Sequence, residues 1–331
     1  MSIPDISTMV DYELHVWGCD KSISVVFPEC LAAAWLVTTC IPHEKINIVT
    51  LSNTNLSKTG VLPVLLTKDV SYEGFGPISS FILSEFSGKN VIETKDLAQS
   101  AVILLIENKL VRVHQFNLYS NLKNYEEYTR KQFKKYLPFP MMYNQPLKLY
   151  NVAQDQVRMA GLLPSPPGLF GVFSGSSGPH DEVDEETSEV ALSALHERQM
   201  TAKSNKRELL RQSKNSLKCL NYLGEILDDI VKLNHQLNPH RPDDTFALIF
   251  NESKISVAEL LLFAYIHSLT YDGLPDHAIH DYIRLKYLSF ADFSQTKINE
   301  LNQLLDDSAI QPPNSSQVPN LINEVRYRLG Y

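Results

Sequence analysis

Val61-Leu62-Pro63-Val64-Leu65-Leu66 is the stretch on which the fold turns. Its apolar residues read as a short buried strand, yet a proline has no amide hydrogen to give a sheet ladder. Pro63 therefore belongs at an edge or at the first position of a strand. A cis Leu62–Pro63 bond, cheap before proline, would reconcile it with a buried strand. Working outward, Tyr12–Trp17 alternates as a strand and Gly18–Ser24 reads as a loop. Pro28 suits the first turn of a helix reaching Thr39, with Cys30, Leu31, Ala34, Trp35 and Thr38 on one side. Ile46–Leu51 is a second strand and Ser52–Gly60 is polar and turn-rich. After Val61–Leu66 come a short strand over Val70–Glu73 and a helix over Pro77–Phe86.

The chain beyond residue 90 reads as helical. Thr94–Asn117 predicts a long helix with Leu97, Ala101, Leu104, Leu105 and Leu110 as its buried stripe. In Asn124–Pro146, the residues Tyr125, Tyr128, Gln132, Phe133 and Tyr136 recur at helical spacing and give one largely aromatic face. Arg130, Lys131, Lys134 and Lys135 load the same helix with positive charge toward its C-terminal end, where the macrodipole favours cations. Pro138 is expected to stop it and Pro140 to keep the chain extended, so that Leu137, Pro138, Phe139 and Pro140 form a rigid apolar elbow. This elbow fits either an inter-domain packing corner or a partner-docking surface. A further helix is expected over Leu147–Leu163. Ser256-Val257-Ala258-Glu259 is a capping box: the serine satisfies the amide three residues on and the glutamate reaches back, with Ile255 placed as a staple. It opens the apolar run Leu260–Leu269. Two more helices are expected over 277–290 and 295–308, and a short one over Asn320–Leu329 after a Pro/Ser-rich stretch.

Charge is unevenly spread. The 331 residues carry a formal net charge of -8, against a broad nucleic-acid footprint. Twelve of the sixteen residues 164–179 are Pro, Ser or Gly, and Asp181–Glu189 adds six acids with no Lys or Arg, so an exposed, disordered insertion is expected there. Residues 198–218 reverse the sign, with Arg198, Lys203, Lys206, Arg207, Arg211, Lys214 and Lys218 against Glu208. Leu209, Leu210, Leu217, Leu220, Leu223, Leu227 and Ile230 give that segment an apolar face, so one helix is expected from about Thr201 to Leu237. Its basic face fits solvation, pairing with the acidic segment before it, or anionic lipid headgroups. Cys19, Cys30, Cys40 and Cys219 have neither Cys-x-x-Cys spacing nor paired histidines, which suits a reducing compartment and argues against a zinc site or disulfide framework. The longest apolar run, near Leu260–Ile266, is far short of the ~20 residues that span a bilayer. The N-terminus shows no secretory signal.

Candidate chemistry is thin. Cys19, Ser22 and Ser24 follow the first strand, with Lys21 near enough to assist a thiolate at Cys19. His277 and His280 are expected to be surface histidines without carboxylate or cysteine partners. No phosphate loop, dinucleotide fingerprint, His-Glu-x-x-His or Gly-x-Ser-x-Gly is present.

The separations of Asn124-Tyr125, Thr129-Arg130 and Leu137-Pro138-Phe139-Pro140 resemble those of the metaxin family. The patterns Trp17-Gly18, Ser52-Asn53 and Gly60-x-Leu62-Pro63-Val64-Leu65 are similar to those of its members in the mitochondrial sorting and assembly machinery. The resemblance implies an α+β, glutathione-transferase-like fold: a thioredoxin-like domain over 12–90, a helical domain over 94–308 with a disordered insertion at 164–195, and an extension over 309–331. It assigns structural roles to Leu62 and Pro63 and to Ser256 and Glu259. As a candidate partner surface it leaves Tyr125, Arg130, Leu137, Pro138, Phe139, Pro140, Lys206, Arg207 and Arg211. It further implies a non-catalytic, cofactor-free protein on the cytosolic face of the mitochondrial outer membrane, held there peripherally. Expected partners are an outer-membrane β-barrel assembly subunit, a second metaxin-like subunit, the outer-membrane translocase and β-barrel precursors, with no nucleic acid. Glutathione transferases place Glu/Asp-Ser where this chain has Gly74-Phe75-Gly76-Pro77, a departure that argues against glutathione chemistry, although Glu73 is one register away. The alternatives are a glutathione transferase or related thiol-dependent enzyme, and a soluble glutathione-transferase-like assembly module.

Overall fold

A computed structural model describes residues 11–86, 91–92, 97–164, 194–242, 245–251, 253–305, 310–314 and 317–319. The tail before residue 11, residues 165–193 of the insertion and the expected helix over 320–329 lie outside them. The chain opens with β1 (Tyr12–Cys19), β2 (Ser22–Ile23), α1 (Pro28–Cys40), β3 (Ile46–Leu51), β4 (Val64–Leu66), β5 (Ser71–Glu73) and α2 (Phe75–Glu85). The sheet order is β5-β4-β1-β3; β1 runs parallel to β3 and antiparallel to β4, and β4 is antiparallel to β5. This strand–helix–strand, then antiparallel strand pair and helix, is the thioredoxin-like path. The Leu62–Pro63 bond is cis. The strand starts at Val64, not Val61, so Pro63 stands just outside the ladder, and its carbonyl accepts from Gly74 N at 2.8 Å.

Two strands of this sheet are not legible in the sequence. The expected loop after β1 is a hairpin, with Gly18 opposite Ile23 and Cys19 opposite Ser22. A Cβ on Gly18 would lie 2.2 Å from the Ser22 carbonyl oxygen, so this close approach requires glycine. At the far end of the chain, β8 (Ile310–Gln311) pairs in parallel with β3, opposite Ile48 and Val49. The C-terminal residues therefore complete the N-terminal sheet. Such a two-residue strand has no periodicity to read.

After β6 (Val91–Ile92) the helical part begins with α3 (Leu97–Leu105) and α4 (Val111–Gln115). Each is followed by one π-helical turn, over Ile106–Leu110 and Phe116–Ser120. The expected stripe is out of phase. Leu97 and Leu104 are exposed, whereas Val102, Ile106, Leu110, Val113 and Phe116 are buried. The segment is apolar on two overlapping stripes, and only the second continues through the later turns to Phe116. Next come α5 (Leu122–Asn124), a π turn over Tyr125–Thr129, α6 (Arg130–Tyr136) and α7 (Met141–Met159). Helix α7 starts before Pro146 rather than after it. The missing amide hydrogen falls early in the helix, where only one internal bond is lost.

Helix α8 (Ala194–Leu237) is followed by β7 (Ile255–Ser256), which pairs with β6, and by α9 (Val257–Leu269). Helices α10 (Ala278–Lys286) and α11 (Leu288–Gln303) break at Tyr287, whose hydroxyl donates to the Gly224 carbonyl at 3.0 Å. Helix α1 is buried on nearly all sides because the sheet covers one face and α9 the other. Every α9 residue from Val257 to Ile266 is buried. An all-round apolar helix has no solvent to satisfy its N-terminal amides, and the capping box supplies the partners. Ser256 Oγ accepts from Glu259 N at 3.2 Å, and Glu259 Oε2 accepts from Ser256 N at 2.8 Å. The other carboxylate oxygen accepts from Ile249 N, pinning the loop before the helix.

Ser256→Ala should cost about 1 kcal/mol of unfolding free energy. Glu259→Ala strands the buried amides of Ser256 and Ile249 and should cost more, roughly 2–4 kcal/mol. Urea unfolding with unchanged m-values would check both, and equal losses in the two variants would contradict the double role of Glu259.

Candidate functional site

The 124–140 segment divides by direction. Asn124 is fully buried; its Nδ2 donates to Asn117 Oδ1 at 2.9 Å and its Oδ1 accepts from Asp276 N at 2.8 Å. Thr129 Oγ1 donates to the Leu118 carbonyl at 2.8 Å. Phe133 is fully buried and meets Trp17 and Phe27 edge-on, with ring centroids 6.3 and 6.1 Å away, while Trp17 stacks on Phe27 at 4.5 Å. Tyr136 ties this packing to the sheet side. Its hydroxyl donates to Ser24 Oγ at 2.9 Å, and its carbonyl accepts from Ser52 Oγ at 2.5 Å. The aromatic face is thus the junction between the sheet and the helices.

Two of the residues expected at a partner surface therefore face inward. Leu137 is buried at the end of α6, and Tyr125 is half-buried against Tyr150, with ring centroids 4.8 Å apart. Arg130, Pro138 and Phe139 are exposed, Phe139 by 75%. The elbow is not extended at Pro140. The Phe139–Pro140 bond is cis, and the chain turns directly into α7. Phe139 then meets Tyr143 edge-on at 6.2 Å, an exposed aromatic pair in a segment that also exposes Lys131, Lys134 and Lys135.

On α8, Lys206, Arg207 and Arg211 are exposed, and Arg211 makes two 2.8 Å bonds to the Glu208 carboxylate. The expected apolar face of this helix is only partly used. Leu223, Ile226, Leu227 and Ile230 are buried, but Leu209, Leu210 and Leu217 are exposed. Burial begins only at Asn215 and Cys219, where the helix reaches the body of the protein. A cleft of about 740 Å³ runs beside it, with Phe116, Leu122, Tyr150, Leu163, Leu217 and Arg211 among its lining residues. Arg211 thus shares a cleft with Tyr150, whereas the elbow residues Leu137–Pro140 do not line it.

The corner where a thiol or glutathione site would lie is occupied by the protein's own interactions. Burial, reinforced by Asp20, pushes the Cys19 thiol up, and Lys135 opposes this only in part. Phe75 is buried at the first turn of α2. The Glu73 carboxylate accepts from Thr59 Oγ1 at 2.6 Å, Lys58 N at 2.8 Å, Thr59 N at 2.9 Å and Ser57 Oγ at 2.9 Å. Those bonds, led by the Thr59 hydroxyl, lower its pKa to about 2. Glu73 is therefore a clasp for the Ser57–Gly60 turn. A smaller cavity of about 190 Å³ at the start of α1 is lined by Val26, Phe27, Leu62, Glu29, His114 and Tyr265 among others. Burial lowers the His114 pKa to about 3, so the ring is neutral; its Nε2 lies 3.0 Å from Ser268 Oγ. Among the described residues no group of three or more His, Cys, Asp or Glu side chains is placed to hold a metal ion. Nor is any described helix long and apolar enough to cross a membrane.

The family model described as an outer mitochondrial membrane transport complex protein, Tom37, matches residues 30–150. The model of the Tom37 C-terminal domain matches residues 176–331. No curated protein matches the chain in sequence. Among solved structures, a glutathione S-transferase of Ceriporiopsis subvermispora in complex with glutathione is 11% identical, with a TM-score of 0.49 over 89% of this chain and 98% of that one. A glutathione transferase from Phanerochaete chrysosporium is also 11% identical, with a TM-score of 0.48 over 89% of this chain and 97% of that one. With scores under 0.5, neither likeness says anything of chemistry at this chain's own residues.

Leu137→Ala should cost roughly 2–5 kcal/mol by opening a cavity at the end of α6. Phe139→Ala, two residues on, should stay within about 0.5 kcal/mol. Denaturant midpoints for the pair would test the inward–outward split. A carboxyl held low contributes stability above its unfolded value and loses it as pH falls through the folded one. The Glu73 clasp should therefore weaken between the ordinary value of 4.5 and about 2. Hydrogen exchange over Ser57–Gly60 should speed up across that window in the wild type, and be fast throughout in Glu73→Gln.

Proposed function

Because the chain belongs to the Tom37 family of outer mitochondrial membrane transport complex proteins, we propose that it is a non-catalytic subunit of the mitochondrial outer-membrane sorting and assembly machinery. In this reading it sits peripherally on the cytosolic face. It joins an outer-membrane β-barrel subunit to a second metaxin-like subunit, contacts the import translocase, and supports the folding, insertion and release of β-barrel precursors. The observation that carries the reading is the pair of family matches, which together take in most of the chain, from within α1 through the later strands of the sheet and the helical part.

The geometry supports a scaffold over a catalyst. The corner that would present a thiol holds Cys19 with its pKa raised, and the turn that would bind a charged ligand buries Phe75 and commits Glu73 to backbone amides. What the chain offers outward is surface: the Phe139–Tyr143 pair with its neighbouring cations, and the exposed flank of α8. Barrel precursors carry unpaired strand edges that aggregate readily. A rigid cap beside the assembly barrel shelters such edges without any covalent step.

Affinity purification of the tagged chain from gently solubilised membranes tests the reading. The expected result is near-stoichiometric recovery of a β-barrel membrane protein and a second glutathione-transferase-like chain, with recovery reduced in Phe139→Ala. Soluble partners alone, or measurable glutathione affinity lost in Cys19→Ala, would overturn it in favour of a soluble module or a thiol enzyme respectively.

A further inference from the structure

Helix α8 leaves the body of the protein at its N-terminal half. None of the described side chains from Lys203 to Lys214 is buried. Yet that half carries leucines: Leu209, Leu210 and Leu217 are exposed by 63%, 63% and 62%. At 3.6 residues per turn they fall within about 100° of arc and span about 12 Å of helix. Leu209 and Leu217 stand on the α8 side of the cleft described above and Leu210 lies outside its lining, yet all three keep most of their surface in water, and the core face is a different arc, through Asn215, Cys219, Leu223 and Ile226.

The charge beside this stripe has one sign. Lys206, Arg207, Lys214 and Lys218 are exposed and make no ion pair among the described residues. Lys206 falls within the leucine arc, and the other three occupy the arc next to it, away from the core face. The single acid of the segment, Glu208, is spent on Arg211. A helix that exposes an aliphatic stripe flanked by Lys and Arg with no ion pair among the described residues matches the interface of an anionic bilayer, where leucines enter the headgroup–acyl boundary and cations meet phosphates. A purely polar anion would leave the leucines in water, and an apolar protein groove would leave the four cations without partners.

We propose that the N-terminal half of α8 docks on an anionic phospholipid surface, with Leu209, Leu210 and Leu217 inserted and Lys206, Arg207, Lys214 and Lys218 on the headgroup phosphates. The inference rests on the membrane location proposed above and names the element that makes the contact.

Flotation of the purified full-length chain with vesicles tests it without any partner subunit. The chain should float with phosphatidylcholine vesicles holding about one fifth phosphatidylserine or cardiolipin and stay behind with phosphatidylcholine alone. Raising salt from about 0.1 M to about 0.5 M should release most of it. Replacing Lys206, Arg207, Lys214 and Lys218 with Gln should weaken binding roughly 100-fold or more. The double change Leu209→Asp with Leu210→Asp should abolish flotation at low salt, and because both side chains are exposed its circular dichroism and unfolding midpoint should match the wild type. Flotation unaffected by either set overturns the proposal. So does capture of the same face by soluble polyglutamate with no flotation, which would assign it to an acidic protein. Failure to float while the membrane complex still co-purifies overturns this inference and leaves the proposed function standing. Flotation with only soluble partners recovered does the reverse.

Discussion

A helix with no exposed face has to be terminated by the protein itself, and α9 is that helix. It lies against α1, α3, α4 and α11, so sheet and helical layers meet on it. Water cannot reach its first turn, and Ser256 and Glu259 take over the free amides. Glu259 is a carboxyl buried away from solvent, and burial raises its pKa against the pull of its hydrogen bonds to Ser256 and the 249–250 amides. A group so costly to bury stays only where each oxygen has a donor. One oxygen closes the helix and the other fixes the incoming loop, so the same side chain sets where α9 begins and how the chain reaches it. The rest of the packing assumes that placement.

Features with a local chemical reason were legible in the sequence. Pro63 could not sit inside a ladder, and the structure places it just before β4 behind a cis bond. The Ser-x-x-Glu box announced α9, and Pro28 announced α1. Features decided by competition between equivalent options were not legible. Residues 97–106 offer two apolar stripes, and only packing against α9 and the later turns selects the one through Val102 and Ile106. Two π turns then shift the helical phase, which no simple period follows. The hairpin at β2 and the parallel strand β8 are two residues each, so their pairing is visible only in three dimensions.

The 124–140 motif shows why a recognisable sequence pattern need not be a binding site. Its polar members Asn124 and Thr129 face inward because the π turns leave carbonyls and loop amides that need partners near Leu118 and Asp276. Its large apolar members Phe133 and Leu137 follow them into the junction. Of the motif's own members, Arg130, Pro138 and Phe139 are exposed to another molecule, beside Lys131, Lys134 and Lys135. Composition identified the segment as important, but direction was set by the register of α6 against Trp17 and Phe27. The same distinction applies to Glu73, where a carboxylate one position from a ligand-binding register is consumed by a neighbouring turn.

Net charge is a poor guide to what such a protein touches. The formal charge of -8 argues against a broad nucleic-acid footprint, yet the exposed flank of α8 is strongly basic over a few turns. Charges separated by more than about 8 Å are largely screened at physiological salt, so a local cluster acts on its own surroundings and not as part of the molecular total. Lys206 adjoins Arg207, and Lys214 stands one turn, about 6 Å, from Lys218, so each of these pairs acts locally. The exposed leucines sharpen the point, because charge alone would make this flank a solvated helix face. Aliphatic area kept in water is a cost that folding does not recover, and in the proposed contact an anionic bilayer covers that area while its phosphates meet the neighbouring cations.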